Sequence, residues 1–196
     1  WAPFINKVGT TSNVINSIKA INKFSDSNNF SIELVNVFGE WNDTNIKDTN
    51  IKTIKLIKNK LILNANKKGF IKSRLYTILI ILFSAIPLFK LIKKNNYNYI
   101  ISHLITSLPV SLFLLFKFKS KLILSISGFP KLTILRKLFW KISKKNIYKI
   151  ISPSIETKAL LLENKIFDNN QVAVIKDPHI VTKKILDLKK ANIDKF

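Results

Sequence analysis

The sequence contains no cysteine and no methionine, and only two histidines. Without cysteine the chain forms neither a disulfide nor a thiolate metal site, which agrees with a reducing, cytoplasmic setting. His103 and His179 lack the His-x-x-x-His spacing of a catalytic zinc site, so we expect no metal and no other cofactor. The chain starts at Trp1 without a basic, apolar and small-residue leader. We therefore expect the natural start to lie upstream and expect no signal peptide in this stretch.

Acidic residues are absent from the middle of the chain. No Asp or Glu occurs between Asp48 and Glu156, and that interval carries 21 Lys and Arg residues, from Lys52 to Lys149. The formal charge of the whole chain is +22. A surface with so large an excess of positive charge attracts polyanions such as nucleic acid, acidic glycans or an anionic bilayer. Compositional drift toward Lys, Asn and Ile explains part of the charge, but not why acids persist at both ends.

Uncharged runs long enough to cross a membrane are also lacking. Residues 75–89 and 104–116 form runs of 15 and 13 residues, whereas a spanning helix needs about 20. Both runs fall where an α/β fold needs a buried helix, although a helix lying in the membrane interface stays an alternative for the first. Five cations flank that first run: Lys72, Arg74, Lys90, Lys93 and Lys94.

Strand-like and helix-like segments alternate along the chain. This alternation predicts a Rossmann-like, doubly wound parallel sheet with flanking helices. Residues 1–178 are expected to form this domain, and residues 179–196 a lysine-rich linker. The predicted helices cover residues 13–24, 73–94, 104–116, 132–144 and 155–164, and the predicted strands cover residues 30–38, 51–63, 97–102, 121–126, 148–152 and 171–175; residues 42–49 are predicted to be a loop.

Three short motifs are candidate binding sites: one precedes the first predicted helix, and two lie at the ends of predicted strands, where ligands bind in open α/β sheets. Gly9 and Thr10 precede the first helix, whose N-terminal N–H groups can face an anion. Glu40 and Trp41 follow the strand predicted at 30–38; Glu40 is a candidate acceptor for sugar hydroxyls and Trp41 a candidate stacking ring. His103 follows the strand at 97–102 and can donate to a sugar or a phosphate. Each motif also has a structural reading: a plain turn, a packed Trp and a hydrogen-bonded His.

A glycine turn and a basic helix form the fourth feature. Ser127 and Gly128 belong to a Gly-Pro turn that leads into the helix at 132–144. That helix presents cations that we predict to face a membrane: Arg136, Lys137, Lys141, Lys144 and Lys145. In the alternative reading they are the solvated side of a core helix, whose apolar stripe consists of Leu132, Leu135, Phe139 and Ile142.

Taken in order, the segments resemble the N-terminal, acceptor-side domain of family 4 glycosyltransferases of the GT-B fold. The resemblance implies two Rossmann-like domains with the active site between them, and no divalent metal. It also implies that Gly9 and Thr10 match the loop facing the donor phosphates. His103 would match the catalytic His facing the transferred sugar, and Ser127 and Gly128 a loop at the cleft. The resembling segments are residues 3–10, 13–21, 35–41, 100–109, 125–140, 151–157 and 174–178.

The family's Glu-x7-Glu motif and phosphate-binding cations belong to the C-terminal domain, and neither is found here. We therefore expect half of a retaining transferase, inactive alone, whose other half is missing or is a separate chain. The expected partners are a nucleoside-diphosphate sugar, a lipid-linked or polysaccharide acceptor and the anionic inner face of the cell membrane, in surface polysaccharide synthesis. Nucleic acid is not an expected partner, because no motif that reads it appears. The alternatives are a basic nucleic-acid-binding protein, a small membrane-associated protein, and a Rossmann-like module without activity.

Overall fold

The chain folds into parallel β-sheets flanked by helices, as predicted. The structure, a computed structural model, describes residues 1–5, 9–24, 30–42, 51–57 and 70–176. The loop predicted at 42–49, the end of the strand predicted at 51–63 and the linker predicted from residue 179 lie wholly or largely outside these residues. The helices are α1 (Gly9–Phe24), α2 (Phe70–Asn95), α3 (Ser107–Leu115), α4 (Ile134–Ser143) and α5 (Ile155–Glu163), and the strands are β1 (Glu33–Asn36), β2 (Lys52–Lys55), β3 (Tyr99–Ser102), β4 (Lys121–Ser125), β5 (Ile147–Ser152) and β6 (Val172–Val174).

All the strand pairs among the described residues are parallel. One sheet has the order β1-β2 and the other the order β3-β4-β5-β6, with Ile101 opposite Ile123 and Ile151 opposite Ala173. The first residue extends the larger sheet beside β3: the Trp1 amine donates to the Ile101 carbonyl (2.8 Å), and the His103 N–H donates to the Trp1 carbonyl (2.9 Å). These bonds place Trp1 opposite Ser102 in a parallel register, because a strand residue bonds to the two neighbours of its partner.

Capping residues explain where two of the helices begin. The Thr133 side chain accepts a hydrogen bond from the Arg136 N–H at the start of α4, and the Ser154 side chain accepts one from the Thr157 N–H at the start of α5. Helix α1 begins four residues earlier than predicted. Thr11 and Ser12, residue types that favour the N-cap position of a helix, therefore lie inside its first two turns.

Two apolar clusters lie in the described part of the chain. The larger joins α2, α3, α4 and α5 to the sheet through side chains such as Ile80, Leu88, Leu122, Leu124 and Ile150. The smaller joins α1 to β1 and the first residues of the chain, through Ala2, Phe4, Val14, Leu34 and Trp41. This division is what a doubly wound sheet produces, since helices then cover both of its faces.

Candidate functional site at the carboxyl ends of the strands

The segments that follow the parallel strands hold most of the predicted site residues. Glu40 and Trp41 follow β1, His103 follows β3 directly, and Ser127 and Gly128 follow β4. Because the carboxyl ends of parallel strands meet at one edge of a sheet, His103 and Gly128 lie at the same edge of the larger sheet.

The loop after β1 is held together by the Glu40 carboxylate. One of its oxygens accepts from the Val37 N–H (3.0 Å) and the other from the N–H groups of Phe38 (2.8 Å) and Gly39 (3.2 Å). Burial raises the pKa of Glu40, and the backbone N–H donors oppose that rise. Gly39 adopts a φ of 107°, which favours glycine. Both carboxylate oxygens thus accept hydrogen bonds from the backbone of the turn. A sugar hydroxyl bound by Glu40 would have to compete with these bonds.

Trp41 is part of the core in this structure. Its side chain is 2% exposed, and its ring meets the Phe4 ring edge-on at 4.8 Å between centroids. The stacking surface that the sequence suggested is therefore covered, and of the two readings of Trp41 the packed one describes its position.

His103 lies half-buried where β3 ends, with its backbone tied to Trp1. Burial lowers the pKa of His103 to about 4. The imidazole is therefore neutral at pH 7, with one nitrogen able to donate a hydrogen bond and the other able to accept one. The neighbouring Ile105 carbonyl accepts from the Trp1 indole N–H (3.1 Å), and Ile105 has a φ of 47°.

The turn after β4 is open to solvent. Ser127 and Gly128 are exposed, and a Cβ built on Gly128 would meet nothing within 4 Å. Gly128 has a φ of 69°, so the backbone conformation, rather than lack of space, requires glycine there.

Gly9 and Thr10 occupy the first turn of α1 rather than a loop before it. Gly9 is exposed, Thr10 is half-buried, and the first turn contains no acidic residue. The first backbone N–H groups of a helix have no partner inside it, so this end is suited to an anion. Lys7 and Val8, which the sequence places before it, lie outside the described residues.

Three serines that the sequence analysis did not single out are each the last residue of a strand in the larger sheet. Ser102, Ser125 and Ser152 are the last residues of β3, β4 and β5, and all are buried. The Ser152 hydroxyl donates to the Ser154 carbonyl (2.8 Å), whereas the buried Ser102 hydroxyl lacks a partner. The sequence contains a pattern that points to them, since three successive apolar strands each end in Ser. A buried hydroxyl next to His103 adds a polar group to this edge.

The opposite edge of the larger sheet carries an open depression. Tyr99 and Lys121, the first residues of β3 and β4, line it together with Lys119 and residues 96–98. This depression lies at the amino ends of the strands, away from the residues predicted to bind ligands. Among the described residues no three His, Asp or Glu side chains are grouped as metal ligands would be.

The five basic residues between positions 136 and 145 differ in their contacts, and Lys144 and Lys145 follow α4 rather than belonging to it. The Lys137 ammonium donates to Asn164 (2.6 Å), the Lys144 ammonium pairs with Asp168 (2.7 Å), and the Arg136 guanidinium lies 5.9 Å from the Trp140 ring centroid. Lys141 and Lys145 are exposed.

The prediction of a buried apolar stripe on α4 is wrong for two of its four residues. Leu135 is 80% exposed and Ile142 is 56% exposed, whereas Leu132 and Phe139 are half-buried. Trp140 provides the reason: its ring packs against Phe167, with 5.8 Å between centroids, and this contact turns the helix so that Trp140 and Ser143 face inward. Helix α4 therefore exposes apolar side chains as well as cations.

The fold matches one half of a bacterial glycosyltransferase. The chain superposes along 99% of its length on the crystal structure of a glycosyltransferase from Rickettsia africae ESF-5, with a TM-score of 0.62 and 18% sequence identity. The match covers 48% of that protein, so this chain spans about half the length of the structure it resembles. No family model and no curated protein matches the chain. The likeness shows the fold, and membership of family 4 stays a prediction.

Proposed function

We propose that the chain is the acceptor-side half of a retaining glycosyltransferase of family 4 type. This enzyme would move a sugar, of the hexose type, from a nucleoside diphosphate to a lipid-linked or polysaccharide acceptor during surface polysaccharide synthesis. The observation that carries the proposal is the superposition of nearly the whole chain on half of a glycosyltransferase, with His103 and Gly128 following strands at the edge where α/β sheets bind ligands.

The transfer needs a second domain to hold the donor. The bond between the anomeric carbon and the diphosphate oxygen breaks, and the diphosphate leaves with the electron pair. A bond from that carbon to the acceptor oxygen forms, and the proton of the acceptor hydroxyl passes to a phosphate oxygen. Negative charge grows on the leaving group, so N–H donors at the start of α1, beginning at Gly9 and Thr10, would stabilise it. No metal is proposed.

His103 is the catalytic residue of the proposal. A neutral imidazole donates a hydrogen bond to a hydroxyl of the transferred sugar without adding a second positive charge beside a developing oxocarbenium ion. Its low pKa keeps it neutral throughout the physiological range. His103 is half-buried at the end of β3, so the residue is not fully enclosed by the protein.

A peripheral position on the inner face of the cell membrane belongs to the same proposal. A lipid-linked acceptor stays in the bilayer, so an enzyme that uses it must approach the membrane surface. The stretch from residue 49 to residue 155 is free of acidic residues, and such a surface is attracted by anionic lipids.

The test is to join a sugar-nucleotide-binding GT-B domain after Pro178 and to measure transfer from a panel of nucleoside-diphosphate sugars. Transfer by the joined protein supports the proposal. In that protein we expect His103→Ala to lower kcat by about a hundredfold, as loss of one stabilising donor does elsewhere. His103→Gln retains a donor and should lose less. A joined protein that folds but transfers equally well with and without His103 would show that the site is wrongly assigned.

A further inference from the structure

Helix α2 exposes an apolar surface that the sheet does not use. Tyr76, Ile80, Leu88 and Ile92 recur every four or eight residues and are buried against the core. The other side of the helix carries large side chains that are exposed: Leu75, Ile78, Leu79, Leu82, Phe83 and Ile86. These residues recur at intervals of three and four, so they form one stripe along the helix. A helix on the surface of a soluble domain normally has charged residues there.

Cations continue this stripe at both of its ends. Lys72 lies three residues before Leu75, and Lys90 and Lys93 lie four and seven residues after Ile86, all of them exposed. The spacing places them on the same side of the helix as the apolar residues. Long ammonium side chains at the ends of an apolar stripe can reach a charged headgroup layer while the stripe lies deeper. No acidic residue occurs on α2, α3 or α4 to oppose this.

The neighbouring helices extend the same side of the molecule. Helix α2 contacts α3, and α3 contacts α4, and all three pack on the sheet through one core cluster. Leu115 at the end of α3 is exposed, and so are Ile134, Leu135 and Leu138 on α4. Apolar side chains are thus exposed on three successive helices of one layer. The charged residues of these three helices are all cationic. This layer covers a face of the sheet, whereas the candidate site lies at the ends of the strands.

We infer that the outer side of α2 inserts into the headgroup region of an anionic bilayer, with α4 lying beside it. Residues 72–95 are long and apolar enough to cross a membrane by length and composition. Crossing would require lipid on all sides of the helix, yet Ile80, Leu88 and Ile92 are packed in the core. The exposed stripe from Leu75 to Ile86 is about 17 Å long, against a hydrocarbon thickness of about 30 Å. The helix is therefore suited to lie in the interface.

This inference rests on the proposed peripheral position but not on sugar transfer. The absence of cysteine allows a single environment-sensitive dye to be attached to the full chain at Leu82→Cys, in the middle of the stripe. Phe24→Cys serves as the matched control, because Phe24 is 81% exposed at the end of α1, which packs in the other cluster. Vesicles of phosphatidylcholine with three tenths phosphatidylglycerol are compared with vesicles of phosphatidylcholine alone.

We expect the dye at position 82 to brighten and shift to the blue with anionic vesicles, and to be quenched by a quencher placed in the acyl chains. The dye at position 24 should stay unchanged. The double variant Leu82→Ser with Ile86→Ser should bind the vesicles about tenfold or more weakly, because two large apolar side chains lose their burial in lipid. Its melting temperature should not fall, since neither residue supports the core.

Three results would overturn the inference. The first is vesicle binding without a change at position 82, which means electrostatic adsorption only. The second is no vesicle binding at all. The third is a blue shift at position 82 without vesicles that grows with protein concentration, which means that a second copy covers the stripe. Transfer by the joined two-domain enzyme to a water-soluble acceptor, in the absence of lipid, tests the proposed function separately.

Discussion

His103 links the candidate site to the pH dependence of stability. Its folded pKa of about 4 lies below the ordinary value of 6.5, so between these values the unfolded chain binds a proton that the folded chain does not. Acidification from pH 7 to pH 4 therefore favours unfolding, by up to about 3 kcal/mol from this residue. Urea denaturation at several pH values measures the effect.

The control for this prediction is His103→Gln, compared with the unaltered chain at every pH. The difference between the two free energies of unfolding removes the contributions of the other titrating groups. As the pH falls from 7 to 4, the free energy of unfolding should decrease less for His103→Gln than for the unaltered chain. If it stays constant, His103 is not desolvated in the folded chain.

Glu40 should contribute to stability through the loop after β1. Glu40→Ala leaves the N–H groups of Val37, Phe38 and Gly39 without their carboxylate partner, although the Asn36 side chain still accepts from Gly39 (2.7 Å). We expect a loss of about 2 kcal/mol in the free energy of unfolding, because buried donors lose their acceptor. Glu163→Ala, at the exposed end of α5, is the matched control. A loss no larger than that of the control would leave Glu40 free for a role in acceptor binding.

At the scale of the helices, α4 allows the electrostatic part of membrane binding to be tested. Reversing the charge of Arg136 and Lys141 to Glu should weaken flotation with anionic vesicles, and the loss should shrink as salt is raised, since salt screens charges beyond about 8 Å at physiological strength. Reversing Lys19 and Lys23 on α1 changes the net charge equally on the other layer. An equal loss in both variants would indicate a net-charge effect rather than an oriented surface.

The order of helices and strands was predictable because apolar periodicity depends on local sequence. The rotation of α4 was not, because it depends on a contact between Trp140 and Phe167, residues from different segments. Trp41 is a similar case: an aromatic ring after a strand suits either stacking or packing, and Phe4, distant in sequence, occupies its surface. The early start of α1 at Gly9 was missed because Thr11 and Ser12 resemble capping residues.

At the scale of the whole molecule, the strand ends were predictable as the place of the site, while the state of each residue there was not. Topology places His103 and Gly128 at one edge, since parallel strands end on the same side. The desolvation of His103 arises from tertiary packing, which no spacing of residues reveals. The bonds of Glu40 are local, to N–H groups one to three residues away, but they depend on the conformation of the turn and not on a sequence pattern. Roles for Gly9, Thr10, Ser127 and Gly128 in binding a substrate stay predictions.

The last prediction concerns residues 1–196 tested alone. In the proposed reaction, charge grows on the diphosphate, and stabilising it requires cations or N–H donors on the side that holds the donor. This chain matches 48% of the glycosyltransferase it superposes on; the start of α1 supplies N–H groups from one side only. Donor and acceptor would then rarely be held together, and the advantage of proximity is lost. We expect no detectable transfer from common sugar nucleotides and weak donor binding by calorimetry. Transfer by residues 1–196 alone would show that the catalytic groups are already present and that the half-enzyme proposal is wrong.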